Sequence, residues 1–435
     1  MGTSVMGRGG LKMSCLWVLV LLSGLALSNA QSKISSSTTG INYGQVADNL
    51  ASPELVVGLL QTNSINKVKL YSVNETVLKA FANTGIELIV GMGNEDVGNM
   101  TDPTKATEWV NENIKAYLPA TKIRGIAVGN EVYTGTDTQL MANLVPAMKN
   151  IHSALVSIGA DTNIKITTPH SLAVLGNSFP PSAGSFASDL KSLMKPLLDL
   201  LSQIGSPFFI NAYPYFAYKG DPSQISLNYV LFEPNSGVVD PNNNIRYNNM
   251  LYAQVDAVYS ALSALGYTNI EVTVSETGWP SKGDANEAGA TLQNAQSYNG
   301  NLLQLLAQNQ GTPLRPKLVL QAYLFALFNE DMKPGPASER NYGLFKPDGT
   351  AVYNLGLTGT LSTGSSSTGS SSTGSTSTGS FSTGSPPPAI YPNSPTDSSY
   401  SYYSSAKETC SVISFYNHLQ LLCLSTFLVV LLFLP

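Results

Sequence analysis

The sequence predicts a single (β/α)8 barrel, the TIM-barrel class, on three observations. Short β-branched or apolar runs recur through its middle, helical stretches separate them, and the runs number eight. They lie at 41–44, 68–71, 88–91, 123–128, 164–168, 208–211, 272–275 and 318–323. Most are near-continuously apolar, as parallel strands covered on both faces are. The intervening stretches at 53–62, 104–118, 138–157, 188–203, 248–265 and 286–308 have helical character, and Ser52-Pro53 looks like a capped helix start. Alternation of the two kinds argues for a parallel sheet, and eight strands argue for a closed ring over a doubly wound sheet. No G-x-G-x-x-G follows the first run, which counts against a dinucleotide fold.

The two ends of the 435-residue chain read as addresses rather than as fold. Arg8 and Lys12 precede the apolar run 16–22, and Ser28-Asn29-Ala30 supplies small residues at the −3 and −1 positions. That is the pattern of a secretory signal over residues 1–30. At the far end Ser404-Ser405-Ala406 is followed by a polar spacer and an uncharged apolar stretch from Leu419 to Pro435. This predicts a glycosylphosphatidylinositol anchor at Ser404, with 405–435 removed. Ser-Thr-Gly recurs every five residues from Ser362 to Ser382, ahead of Pro386-Pro387-Pro388. Such a composition cannot bury enough apolar surface to fold, so 358–404 reads as a disordered stalk. Residues 31–357 remain as the folded unit. Asn74-Glu75-Thr76 and Asn99-Met100-Thr101 are acceptors for N-glycans on the same secretory route. The expected location is the cell surface and wall, held to the outer leaflet of the plasma membrane.

Composition narrows the function classes. Lys and Arg number 23 against 28 Asp and Glu, a net charge of −5, with 12% charged residues and no basic block. Nucleic acid is therefore an improbable partner. The three cysteines, Cys15, Cys410 and Cys423, all fall outside the folded unit, and His152, His170 and His418 are scattered without metal-ligand spacing. No metal or cofactor is expected, and a monomer is.

In such a barrel the chemistry sits where the strands end. Tyr43 follows the first run, Asn130-Glu131 the fourth and Tyr213-Pro214-Tyr215-Phe216 the sixth. The seventh runs into Glu276-Thr277-Gly278-Trp279-Pro280, and the eighth leads to Phe328-Asn329-Glu330. Acids and aromatic rings on one rim suit a sugar: rings pack on its C–H faces and carboxylates grip its hydroxyls. Hydrolysis of a glycosidic bond needs a proton donor and a second carboxylate across the anomeric carbon. Glu276 is one candidate, ending an apolar strand where an unpaired charge is costly. The other is open on spacing, because Gly-Asn-Glu occurs both at 93–95 and at 129–131. Glu131 is mildly preferred for following the better strand.

The segments Ile41-Asn42-Tyr43-Gly44, Val128-Gly129-Asn130-Glu131, Asn211-Ala212-Tyr213-Pro214-Tyr215-Phe216 and Ser275-Glu276-Thr277-Gly278-Trp279-Pro280 resemble the plant glucan endo-1,3-β-glucosidases of glycoside hydrolase family 17. Phe325-Ala326-Leu327-Phe328-Asn329-Glu330 and Arg340-Asn341-Tyr342-Gly343-Leu344-Phe345 match as well. The resemblance implies a retaining barrel enzyme with Glu131 as acid/base and Glu276 as nucleophile. It also implies Glu330 and Lys333 as a supporting acid and base that orient the nucleophile, although Asp331 stands where the family has Asn. Asn130 would take the sugar's 2-hydroxyl, and Tyr43, Tyr213, Phe216 and Trp279 would bind substrate. Trp109 has no such role and should pack a helix. The expected partner is β-1,3-glucan, either callose or pathogen wall glucan. A rival reading keeps the barrel as a non-hydrolytic glucan-binding or adhesion protein; intact Glu131 and Glu276 weigh against it.

Overall fold

The computed structural model describes residues 1–2 and 38–359. The signal expected over 1–30 (beyond its first two residues), the stalk beyond 359 and the anchor segment 405–435 lie outside the described residues.

Eight parallel strands form the ring: β1 Thr39–Tyr43, β2 Lys67–Leu70, β3 Glu87–Met92, β4 Lys122–Val128, β5 in two segments (Lys165–Thr167 and Pro169–Ser171), β6 Phe208–Asn211, β7 Val272–Thr277 and β8 Ala322–Leu324. Each pairs with its sequence neighbours, and β8 pairs with β1 through Thr39↔Ala322 to Ile41↔Leu324. The first segment of β5 pairs with β4 and the second with β6, so the ring passes through Thr168. Pro169, which has no N–H, begins the second segment, where a ladder donor is dispensable.

Helices cover the outside of the ring. The longest, Thr138–Ser157, buries Leu144, Ala147, Met148, Ile151, Ala154 and Leu155 at three- and four-residue spacing. Asp137 starts it by accepting hydrogen bonds from the backbone N–H groups of Gln139 and Leu140. Pro53–Thr62 occupies the expected range, but the Ser52 hydroxyl makes no capping bond. The last strand and the last long helix start well after their expected positions. The last strand begins at Ala322 rather than 318, because Leu318 and Val319 are exposed and Leu320 donates its N–H to Gln310 in a loop. The last long helix begins at Leu292, capped by Thr291, rather than at 286.

Candidate active site

The C-terminal ends of the strands converge on Glu276. β7 carries a bulge that shifts its register against β6 between Val274 and Glu276, and against β8 between Val274 and Thr277. A bulge re-aims a side chain, and here Glu276 turns into the barrel mouth. Only 6% of this residue is exposed. Its Oε1 accepts from Lys69 Nζ at 3.0 Å and from the Tyr71 hydroxyl at 2.6 Å, and its Oε2 from the Tyr213 hydroxyl at 2.9 Å. Asn42 lies behind this group. Its amide donates to the carbonyls of Ser275 and Leu324, and its Oδ1 accepts from Lys69 Nζ at 3.3 Å. Burial alone pushes the Glu276 carboxyl up, but the Lys69 charge, the hydrogen bonds from Tyr71 and Lys69, and the more distant Lys333 outweigh it. The net direction is below the ordinary carboxylate range, which favours an anion. Burial pulls Lys69 below its usual value, opposed by the same carboxylate.

Glu131 presents the opposite case. β4 runs into Gly129 and Glu131, both in the left-handed region at φ 65° and φ 53°. For a residue with a side chain that conformation is strained by about 1–2 kcal/mol. The Glu131 N–H donates to the Pro169 carbonyl at 2.9 Å, and its Oε1 accepts from Asn211 Nδ2 at 2.9 Å. Asn211 is fixed in turn by the Ser275 hydroxyl at 2.7 Å. One amide thus links the two carboxylate-bearing strands. Burial, then the nearby negative charge of Glu276, pushes the Glu131 carboxyl up to about 7, while Asn211 and Lys69 oppose the shift. Near neutrality one carboxyl is an anion and its neighbour holds a proton, the arrangement that separates a nucleophile from an acid. The first Gly-Asn-Glu does not join them, and Glu95 is exposed.

The remaining predicted residues divide. Asn130 is half-buried beside Asn211, and Phe216 keeps an exposed ring. Tyr213 faces the site, with its hydroxyl committed to Glu276. Glu330 accepts from the Val46 N–H at 2.9 Å and lies 3.7 Å from Lys333 Nζ. Glu276 is oriented by Lys69, Tyr71 and Tyr213 instead, with Lys333 acting through its charge. Asp331 accepts from Asn49 in an exposed contact, so the substitution at that position places its charge on the surface.

Two of the aromatic expectations also need correction. Tyr43 is 3% exposed and packs edge-on against Phe328. Successive strand residues point to opposite faces, so with Asn42 turned inward Tyr43 turns toward the helices. Trp279 is fully buried among Tyr215, Tyr218 and Tyr298, and its indole N–H donates to the Gly289 carbonyl at 2.8 Å. It lies outside the ring with Thr277, whose hydroxyl is bonded to Tyr298.

Lys69, Tyr71, Asn42 and Asn211 are absent from the predicted set. A signal existed for Lys69, a lysine flanked by Val68 and Leu70 within a barrel strand. Either the strand is half-exposed there or the lysine faces a buried acid. Glu339 is a further carboxyl near the site, raised by burial and held back by the Lys333 charge.

Residues 39–357 match the family model described as Glycosyl hydrolases family 17. Glucan endo-1,3-beta-glucosidase 11 of Arabidopsis thaliana is 53% identical over 324 residues, which is 74% of this chain and 76% of that protein. Glucan endo-1,3-beta-glucosidase 14 of the same plant is 52% identical over 344 residues, 79% of this chain and 87% of that one. Among solved structures, CJP38, a beta-1,3-glucanase and allergen of Cryptomeria japonica pollen, has a TM-score of 0.71 at 44% identity, covering 74% of this chain and 99% of its own.

Proposed function

The chain belongs to glycosyl hydrolase family 17 and hydrolyses β-1,3-glucosidic linkages within glucans by a retaining route, and we propose that Glu276 is its nucleophile and Glu131 its acid/base. The observation that carries these roles is the opposite displacement of two neighbouring carboxyls, one held as an anion and the other raised to about 7. In the first step Glu131 gives its proton to the leaving oxygen while Glu276 attacks C1, forming a glycosyl ester. Esterification removes the charge that holds the Glu131 proton, so the carboxyl acidifies. As a carboxylate it takes a proton from water, which attacks C1 and frees the nucleophile. Tyr71, Tyr213 and Lys69 orient Glu276 throughout. Phe216 offers an exposed face for a sugar ring, and Asn130 is the group for the 2-hydroxyl.

The same reading extends to location. The leader, the Ser/Thr/Gly repeat and the apolar tail support secretion, a stalk and a lipid anchor at Ser404, which would set the cleft in the wall space facing callose or invader glucan. Asn74 and Asn99 are the proposed glycan acceptors. The chemistry is tested by incubating the protein with linear β-1,3-glucan and following both products and anomeric form. Short oligosaccharides released initially as β-anomers are expected; binding without cleavage, or initial α-anomers, contradicts it. The anchor is tested by phosphatidylinositol-specific phospholipase C, which should release the protein from intact cells; retention with the C-terminal peptide still present contradicts it.

A further inference from the structure

The first Gly-Asn-Glu, at 93–95, is left without a part in the reaction as derived above, yet its asparagine touches the second copy. β3 ends at Met92, whose carbonyl accepts the Gly129 N–H at 3.0 Å as the last backbone rung to β4. The chain then turns away into the short helix Asn94–Val97. The Asn94 side chain takes over where the backbone leaves. Its Oδ1 accepts the Asn130 N–H at 2.7 Å, and its Nδ2 donates to the Asn130 carbonyl at 3.1 Å. A carboxamide presents its oxygen and one of its two N–H donors on the same edge, so it can bond the N–H and the carbonyl of one residue as a facing strand residue does, continuing the ladder by one rung. The residue so gripped lies between Gly129 and Glu131, the two left-handed positions that swing Glu131 into the mouth. Gly129 is also close-packed here: a Cβ on it would stand 2.9 Å from Asn94 Oδ1 and 2.7 Å from Val132 Cγ2. The Pro169 carbonyl holds the far side of the turn through the Glu131 N–H.

We propose that Asn94 is a positioning residue for Glu131: its carboxamide serves as a surrogate strand residue that locks the strained turn carrying the acid/base. The inference rests on the acid/base role of Glu131. A strained turn relaxes toward ordinary backbone angles unless its surroundings over-determine it, and Asn94 supplies both of the bonds to the backbone of its middle residue. Glu95, one residue on, is exposed and outside these contacts.

The test separates proton transfer from general damage. The full-length protein is compared with Asn94→Ala, Asn94→Asp, Glu95→Gln and Glu131→Ala on two substrates. One is linear β-1,3-glucan, whose leaving group needs a proton. The other is a 2,4-dinitrophenyl β-1,3-gluco-oligosaccharide with added azide, where neither the leaving group nor the incoming nucleophile needs Glu131. Asn94→Ala should lose about 10- to 100-fold in kcat on the polysaccharide, with KM little changed, as expected for a displaced catalytic group. On the activated substrate with azide it should stay within about threefold of the parent, while Glu95→Gln matches the parent on both. Equal losses on both substrates, or no loss on the polysaccharide, overturn the positioning role. Should the alanine variant not fold, Asn94→Asp decides, since it keeps the shape and the acceptor but loses the donor; the same split supports the proposal and its absence defeats it. Glu131→Ala tells the two failures apart. If azide and the activated substrate do not rescue it, the acid/base reading falls; if they rescue it but not Asn94→Ala, only the Asn94 inference falls.

Discussion

Glu276 and Glu131 are the same side chain at the ends of two strands of one barrel, and burial raises the affinity of both for a proton. They part because of their partners. Glu276 meets a lysine and two phenols, whereas Glu131 meets one neutral amide and the charge of Glu276 itself. Burial is the larger cause of the raised Glu131 carboxyl, and the anion held at Glu276 adds to it, so Glu131 keeps its proton up to about pH 7. Desolvation supplies the leverage, and the lysine decides which carboxyl carries the charge.

The largest expected effect follows from removing the proposed nucleophile. Glu276→Gln keeps shape and burial, and turnover of β-1,3-glucan should fall by at least about 10⁴-fold, measured as reducing ends released, with glucan binding and Tm largely retained. A fall in Tm that parallels the lost activity would mark Glu276 as structural. Next comes the lysine. Lys69→Met strips the buried anion of its positive partner, so kcat should drop by about 10²-fold. The pH profile should change with it. The proposed roles require Glu276 ionised and Glu131 protonated, so the parent profile should fall on the basic side near pH 7 and on the acid side below the ordinary carboxylate range. Without the Lys69 charge the Glu276 carboxyl rises, and the acid limb moves to higher pH. An unmoved acid limb would mean that the lysine does not hold the charge.

The smallest expected effect is on stability. Glu131 has a folded pKa of about 7 against an ordinary 4.5, so between those values the folded state binds more protons than the unfolded one. Its contribution is fully present below about pH 4.5 and is lost as pH rises through 7. Glu131→Gln cannot ionise. It should therefore melt above the parent at pH 8, with the gap closing toward pH 4; a gap independent of pH would mean that Glu131 is not held protonated.

How far this site could be read from the chain depends on the range of each contact. The eight strands were legible because each is a local apolar run, and Glu131 and Glu276 because they are acids at the ends of such runs. Lys69 was not, since its partner lies 207 residues away and meets it only when the ring has formed. Asn42 and Asn211 read as ordinary strand ends for the same reason. Aromatic rings near a sugar site suggest platforms, which is why the sequence alone points Tyr43 and Trp279 at the cleft. The two-residue period of a strand turned Tyr43 away from the cleft, and Trp279 follows the outward Thr277 into the helical layer. At 318–320 hydrophobicity imitated a strand that the pairing with β1 does not extend to. The repeated Gly-Asn-Glu was ambiguous for a physical reason: both copies follow strands, and what distinguishes them is that one asparagine grips the backbone of the other copy.

The coupling between the two carboxyls can be measured directly. With glutamate labelled at the side-chain carboxyl by carbon-13, and the Glu131 signal assigned through Glu131→Gln, the free protein should show a carboxyl titrating at about 7. Trapping Glu276 as an ester with a 2-deoxy-2-fluoro β-1,3-gluco-oligosaccharide donor removes its charge, and the Glu131 midpoint should then fall toward the ordinary carboxylate range. A midpoint that stays in place after trapping, or no glutamate titrating near 7 at the outset, would contradict the claim that the Glu276 charge helps to hold the Glu131 proton.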